Sequence, residues 1–274
     1  MLLEKGIGST TERILPSGLK VIVRELNIDE VGNLKDPKKD PLKRIQETLS
    51  TALLIVDETG TTEHFDAKKA LEPDLAAGIF YLRKELLGDD FSIKIECPTE
   101  FCNFGKESRG FNPEFFKIEL IDELVKAISK DVYNGMYLME LKNGQTAIMK
   151  IVKGSDIIAL NKANMLAEGA KIKARFEMLC VGIVVDKDTK ENEDKITTVT
   201  LDKVYRVRPL VSKDDLHTRD YLKFESVYTN MVGGLSLDFE KRCPSCGSYC
   251  VEVITKINQI PFFIPDLFFS ESRL

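Results

Sequence analysis

The apolar residues of this chain change their period several times, and each change predicts an element. Leu15-Pro16-Ser17-Gly18 reads as a turn after a loosely held N-terminal arm. Beyond it Leu19, Val21 and Val23 alternate with Lys20, Ile22 and Arg24, the period of two of a strand. Asn27 to Pro41 is polar and reads as a loop or short helix. From Leu42 to Val56 the apolar positions Leu42, Ile45, Leu49 and Leu53 fall three or four apart, which predicts an amphipathic helix. A polar stretch over 57–72 follows. A second helix opens at Pro73, with its stripe at Leu75, Ile79, Leu82 and Leu86 and its stop at Gly88. Phe91 to Glu96 alternates again, so a strand leads into Cys97.

The second half shows no repeat of fixed period with the first, only a rough echo of strand then knuckle. A glycine- and charge-rich link over Gly105–Pro113 precedes a strand within Phe115–Val125. Met136–Leu141 and Thr146–Val152 flank Asn143-Gly144, the signature of a hairpin with a two-residue turn. Ser155 is positioned to cap a helix from Asp156 to about Val181, with a break near Gly169; Cys180, on it or just past it, reads as core. Lys187–Lys195 is a charged loop, and Ile196–Val207 returns to strand composition. Ser212 with Asp215 resembles a capping box that starts a helix through Tyr228. Leu235–Phe239 is a strand feeding a cysteine turn, Val251–Ile254 a return strand, and Phe262–Phe269 a dense aromatic run. The expected fold is therefore α+β, with mixed helices and antiparallel strands. Three regions are expected: 1–105 with strands, helices and a first cysteine knuckle; 106–234 with the hairpin; and 235–274 with the second knuckle and the aromatic tail.

The chemistry lies in the cysteines. Cys243-Pro244-Ser245-Cys246-Gly247 has the form of a zinc knuckle, because a Cys-x2-Cys turn points two sulfurs at one ion. Cys97 and Cys102, spaced Cys-x4-Cys, form a wider pair. Neither pair fills a tetrahedral shell alone. Together, Cys97, Cys102, Cys243 and Cys246 make a split four-cysteine site for one structural Zn2+ that clasps two distant segments. Cys250 is an alternative to Cys246 as the second sulfur of its knuckle. Reduced thiols packed as small apolar residues, or a disulfide, are the competing readings.

Composition narrows the classes. Of 274 residues 43% are apolar and 30% charged, enough for a sizeable core, and the net charge of −5 offers no global basic field for nucleic acid. The opening apolar run is too short for a signal peptide, and no run approaches the length of a membrane span. A cytosol is the expected folding compartment, where cysteines serve more often as metal ligands than as disulfides. The two histidines, His64 and His217, lie far apart and fit no catalytic zinc pattern. Phosphate-cradling, nucleophile-elbow and His-Glu-x-x-His motifs do not occur. Asp214, Asp215 and Asp220 are acids placed to complement a helix dipole, and Cys180 has no histidine placed to activate it. No catalytic residue is assigned, and the chain is expected not to be an enzyme.

The order of these pieces resembles the baseplate protein family of contractile-tailed bacteriophages, the group that includes baseplate-hub subunits and hub assembly proteins. The matching pieces are LPSGLKVIVREL, the helical DLAAGIFYLRKELLG, the strand into Cys97-Pro98, the hairpin MELKNGQTAIMKIVKGSD, and CPSCGSYCVEVI with its phenylalanine-rich end, spanning about Leu15 to Phe269. The resemblance implies a structural virion component or assembly factor. Such a protein is made in the host cytoplasm, resides in the tail baseplate, and contacts other tail and baseplate proteins within a multi-subunit assembly. It needs neither membrane nor nucleic acid. Within the aromatic run, Phe262 and Phe263 are expected to pack near the ribbon and Phe268 and Phe269 to reach a partner. Lys241 and Arg242, just before the second knuckle, favour the alternative of a zinc-ribbon nucleic-acid or transcription module.

Overall fold

The computed structural model describes residues 11–34, 39–87, 91–94, 99, 108–111, 116–121, 135–157, 159–160, 168–186, 193–210, 216–232, 234–237, 246–248 and 253–254. Helices combine with sheets in which every strand pairing among the described residues is antiparallel, an α+β fold. The chain divides into two compact units. One comprises Met1–Ala67, Pro73–Leu120 and Gly234–Leu274, the other Lys68–Glu72 and Ile121–Gly233.

The first unit opens with strands β1 (Arg13–Ile14) and β2 (Lys20–Val23), short helix α1 (Ile28–Leu34) and helix α2 (Pro41–Ala52). Strands β3 (Leu53–Val56) and β4 (Thr62–His64) complete a sheet ordered β1-β2-β3-β4. Asp40 caps α2 by accepting the Lys43 N–H at 3.0 Å, and Pro41 fills the first helical position, where its missing N–H costs nothing. The helix ends four residues before the expected Val56. In Leu53-Leu54-Ile55-Val56 the two β-branched residues favour an extended backbone, and the run pairs on both sides with β2 and β4. Strand β4 was not expected at all. Its residues are polar and lie at a sheet edge, so no apolar alternation marks them.

Helix α3 (Glu72–Leu87) follows. Leu75, Ile79 and Leu82 of the expected stripe are buried, but so is every residue from Glu72 to Phe80, so this is an interior helix and not a surface one. Gly78 explains the closeness of its packing. A Cβ there would stand 2.8 Å from Leu53 Cδ1 and 3.4 Å from Leu49 Cδ2. Burial of Leu49, Leu53 and Leu75, none of them exposed, contributes about 2 kcal/mol for each side chain. Strands β5 (Phe91–Lys94) and β6 (Ser108–Phe111) then form a ribbon, with Phe91 opposite Phe111 and Lys94 opposite Ser108. Strand β6 lies inside the segment expected to be a link. Next comes β7 (Phe116–Glu119).

The second unit is built on hairpin β8 (Met136–Glu140) and β9 (Thr146–Lys150); a 3-10 turn (Gly154–Asp156) and helical residues at 157 and 159–160 come next, then helix α4 (Glu168–Leu179) and strand β10 (Cys180–Val184). Strands β11 (Thr197–Thr200) and β12 (Val204–Arg208) and helix α5 (Thr218–Met231) complete it. The sheet order is β11-β12-β10-β9-β8. Helix α4 stops at Leu179, short of the expected Val181, because Cys180-Val181-Gly182-Ile183-Val184 is a sheet strand between β9 and β12. The strand composition of 196–207 is expressed as a hairpin, β11 pairing with β12. Ser155 is exposed, and Asp156 is the residue whose side chain accepts the Lys153 N–H, at 3.2 Å. Ser212 and Asp215 lie outside the described residues. Helix α5 starts later, where buried Asp220 accepts the His217 N–H at 2.8 Å.

Asp220 also accepts the Lys142 N–H at 2.8 Å, tying the β8–β9 turn to the start of α5. Behind it an aromatic column forms: the Phe176 ring meets Tyr221 and Phe224 edge-on, with centroids 5.3 and 5.4 Å away, and Phe224 continues to Tyr228. Arg175 grips Glu225 with both contacts under 3 Å and lies over the Tyr228 ring. The Tyr228 hydroxyl accepts the Val152 N–H at 3.3 Å.

Three hairpins share one loop geometry. Leu15 N–H donates to Leu19 O, Asp57 N–H to Thr61 O, and Leu141 N–H to Gln145 O; within each loop the glycine N–H donates back three residues. Gly18, Gly60 and Gly144 have φ of 89°, 79° and 81°. Each is a three-residue loop with glycine in the left-handed position. The turn at Asn143-Gly144 is therefore one residue longer than expected, because Lys142 belongs to the loop and the ladder resumes only at Gln145.

The last strands belong to the first unit. Strand β13 (Gly234–Leu237) pairs with β7 on one side and with β14 (Val253–Ile254) on the other. The three form a sheet ordered β14-β13-β7.

Asp74, on the first turn of α3, is fully buried; its Oδ1 accepts the Ser17 N–H at 2.8 Å, and Oδ2 has no partner. Burial raises its pKa to about 7 against the Ser17 hydrogen bonds, which lower it. A folded-state pKa above the unfolded value means that the folded chain holds the proton longer. Stability is then greatest below pH 4 as far as this group is concerned, and falls as pH rises towards 7. The loss is on the order of 4 kcal/mol for a shift of about three units. Urea unfolding from pH 4 to 8 should show this decline, and Asp74→Asn, which keeps an acceptor for Ser17, should flatten it.

Candidate metal centre

Two segments carry the cysteine pairs, and the sheets place their flanks. Strand β5 ends three residues before Cys97, and its partner β6 begins after Cys102. Strands β13 and β14 bracket the second pair, and β13 is held to β7 by a four-residue register from Gly234↔Glu119 to Leu237↔Phe116. Cys97, Cys102, Cys243 and Cys250 lie outside the described residues, as do Phe262, Phe263, Phe268 and Phe269. Cys246 is described and exposed.

One contact joins the two knuckles directly. Thr99, which lies between Cys97 and Cys102, meets the second knuckle through its hydroxyl. The Cys246 Sγ–H donates to Thr99 Oγ1 at 3.6 Å, and Thr99 Oγ1–H donates to Ser248 Oγ at 2.7 Å. The partners stand 147 and 149 positions apart in sequence. Gly247, directly after Cys246, has φ of 71°, so the chain leaves the knuckle through a left-handed residue that a side chain would strain. Nothing lies within 4 Å of where its Cβ would be, so the need for glycine is conformational. These features fit a thiolate metal turn. Among the described residues, no group of three or more His, Cys, Asp or Glu converges to hold a metal ion.

The other candidates take no part in this contact. His64 is exposed on β4, and His217 is exposed ahead of α5. Asp220 serves the local structure, both carboxylate oxygens accepting backbone N–H groups; Asp214 and Asp215 are outside the described residues. Cys180 begins β10 and is half-buried rather than full core. A pocket of about 180 Å³ beside α1 and α2 is lined by Leu26, Glu30, Arg44, Glu47, Thr48 and Thr51. Its Glu30 is held below the usual carboxylate range by the hydrogen-bonded Arg24 guanidinium, at 2.7 and 3.1 Å, and its lining has neither histidine nor cysteine. No described helix is long and apolar enough to cross a membrane.

The hydroxyls of Thr99 and Ser248 escaped the sequence reading. Their only signal is position, one between two cysteines and one two residues past a third. No protein-family model, curated protein or solved structure matches the chain.

Burial pushes the Cys180 thiol up to about 11. At pH 8 almost none of it is thiolate, the reactive form. Iodoacetamide should therefore label Cys180 in the folded chain more than about tenfold more slowly than free cysteine, with the rate still climbing at pH 10. Peptide mapping by mass spectrometry measures this; a rate equal to that of free cysteine would show that the thiol is solvated.

Proposed function

We propose that this chain is a non-catalytic, zinc-clasped structural protein. Cys97, Cys102, Cys243 and Cys246 hold one Zn2+, and the protein acts through contacts with other proteins. The observation that carries the clasp is the hydroxyl contact between the two knuckles, from Thr99 to Cys246 and Ser248. The grouping of Pro73–Leu120 with Gly234–Leu274 in one unit supports it. A split site has a thermodynamic use. Closing a loop of about 150 residues costs on the order of 4 kcal/mol, and structural zinc supplies on the order of 10 kcal/mol coupled to folding. When bound, the ion supplies charge and a rigid tetrahedral node, and the four sulfurs bind it as thiolates.

The biological setting we propose is the baseplate or hub of a contractile phage tail, as component or assembly factor. Support for it comes from the order of motifs from Leu15 to Phe269. In that setting Phe268 and Phe269 dock on a neighbouring subunit, the protein is made in the host cytoplasm, and its final place is the virion.

Elemental analysis of the purified chain should find about one zinc per molecule. Cys246→Ser should abolish the metal and lower the melting temperature sharply, while Cys180→Ser should leave both nearly unchanged. Equal effects would remove Cys246 from the ligand set, and a mild Cys246→Ser with a severe Cys250→Ser would replace it with Cys250.

The setting is tested separately. Deletion of residues 266–274 should leave folding and zinc content intact but block incorporation into tail particles, followed by mass spectrometry of the particles. Normal incorporation would remove the docking role.

A further inference from the structure

Thr99 and Ser248 have no part in a four-cysteine shell, yet they make the contact between its halves. We propose that they are positioning residues. Their hydroxyls form a short chain that holds the Cys246 sulfur in place and, once it is a thiolate, partly neutralises its charge, an inference that rests on the zinc reading above.

Three observations carry the inference. The chain Cys246 Sγ, Thr99 Oγ1, Ser248 Oγ is continuous, with steps of 3.6 and 2.7 Å. Its members come from both knuckles, so it exists only when the two are together. Its polarity also suits both states of the sulfur. With the thiol protonated, Cys246 donates to Thr99, and Thr99 donates to Ser248. A metal-bound sulfur has given up its proton and can only accept. Each hydroxyl has one rotatable donor and two acceptor lone pairs. Rotation about two C–O bonds therefore reverses the chain: Ser248 donates to Thr99, and Thr99 donates to the thiolate. No heavy atom has to move. The same contact then becomes a charge-assisted hydrogen bond to the ligand sulfur.

Loss of a group that orients a metal ligand from outside its shell typically lowers metal affinity by about 10–100-fold. Thr99→Val keeps the shape and removes the hydroxyl, so zinc affinity, measured by competition with a chromophoric chelator on the full chain, should fall about tenfold. Thr99→Ser should stay near wild type, and Ser248→Ala should fall by less than Thr99→Val. The cobalt-substituted protein gives a second readout. A hydrogen bond to a thiolate lowers the energy of its lone pair, so Thr99→Val should move the sulfur-to-cobalt charge-transfer band to longer wavelength. Wild-type affinity and an unmoved band in Thr99→Val would overturn the inference while leaving the zinc site standing. Equal losses in Thr99→Ser and Thr99→Val would overturn it too, by showing that the methyl group and not the hydroxyl matters. A wild-type chain that takes up neither zinc nor cobalt would remove the metal reading and the hydroxyl chain with it.

Discussion

The antiparallel pairing of Gly234–Leu237 with Phe116–Glu119 is the constraint on which the proposed clasp depends. These strands are more than a hundred residues apart, and almost the whole second unit is threaded between them. Without that pairing Cys97 and Cys243 would belong to separate parts of a long loop. With it, β13 and β14, which bracket the second cysteine pair in sequence, share a sheet with β7, and the Thr99 hydroxyl reaches Cys246 and Ser248. A three-stranded sheet with a two-residue outer strand is a slight structure to carry that load. The proposed metal clasp would reinforce it, since two or three short strands alone are only marginally stable.

The second unit meets the same problem by other means. Its long-range ties are polar and aromatic side chains on α5: Asp220 to the β8–β9 turn, Glu225 to Arg175 on α4, and Tyr228 to Val152. Glu225 and Tyr228 accept from the buried Arg175 guanidinium and the buried Val152 N–H, donors that would otherwise lack these partners, and such orphans cost more than the bonds gain. One helix face thus fixes a hairpin, a second helix and the end of a strand.

Much of the fold was legible in the sequence where one face of an element is apolar. Lys20–Val23, the 136–150 hairpin, Phe91–Lys94, Phe116–Glu119 and Gly234–Leu237 all follow from alternation. The misses share physical causes. Thr62-Glu63-His64 and Ser108-Arg109-Gly110-Phe111 carry no apolar alternation, and they pair because a neighbouring strand offers its edge. At Leu53 and Cys180 a helix passes straight into a strand with no glycine or proline to announce it, so periodicity ran on. The site divided in the same way. Cysteine spacing is written in the chain, whereas the hydroxyl link between Thr99 and Ser248 arises from tertiary approach and has no local pattern.

The discontinuity of the first unit bears on how the chain is made. Translation delivers β7 early and β13 late, with Ile121–Gly233 emerging in between. At ordinary ribosomal speeds that interval is on the order of ten seconds, long enough for the inserted unit to fold first. During it β7 waits with one edge unfilled. A nascent chain that stalls or is cut before Gly234 can complete the inserted unit but never the sheet that brackets the second knuckle. Completion of that sheet thus depends on the order in which its strands leave the ribosome.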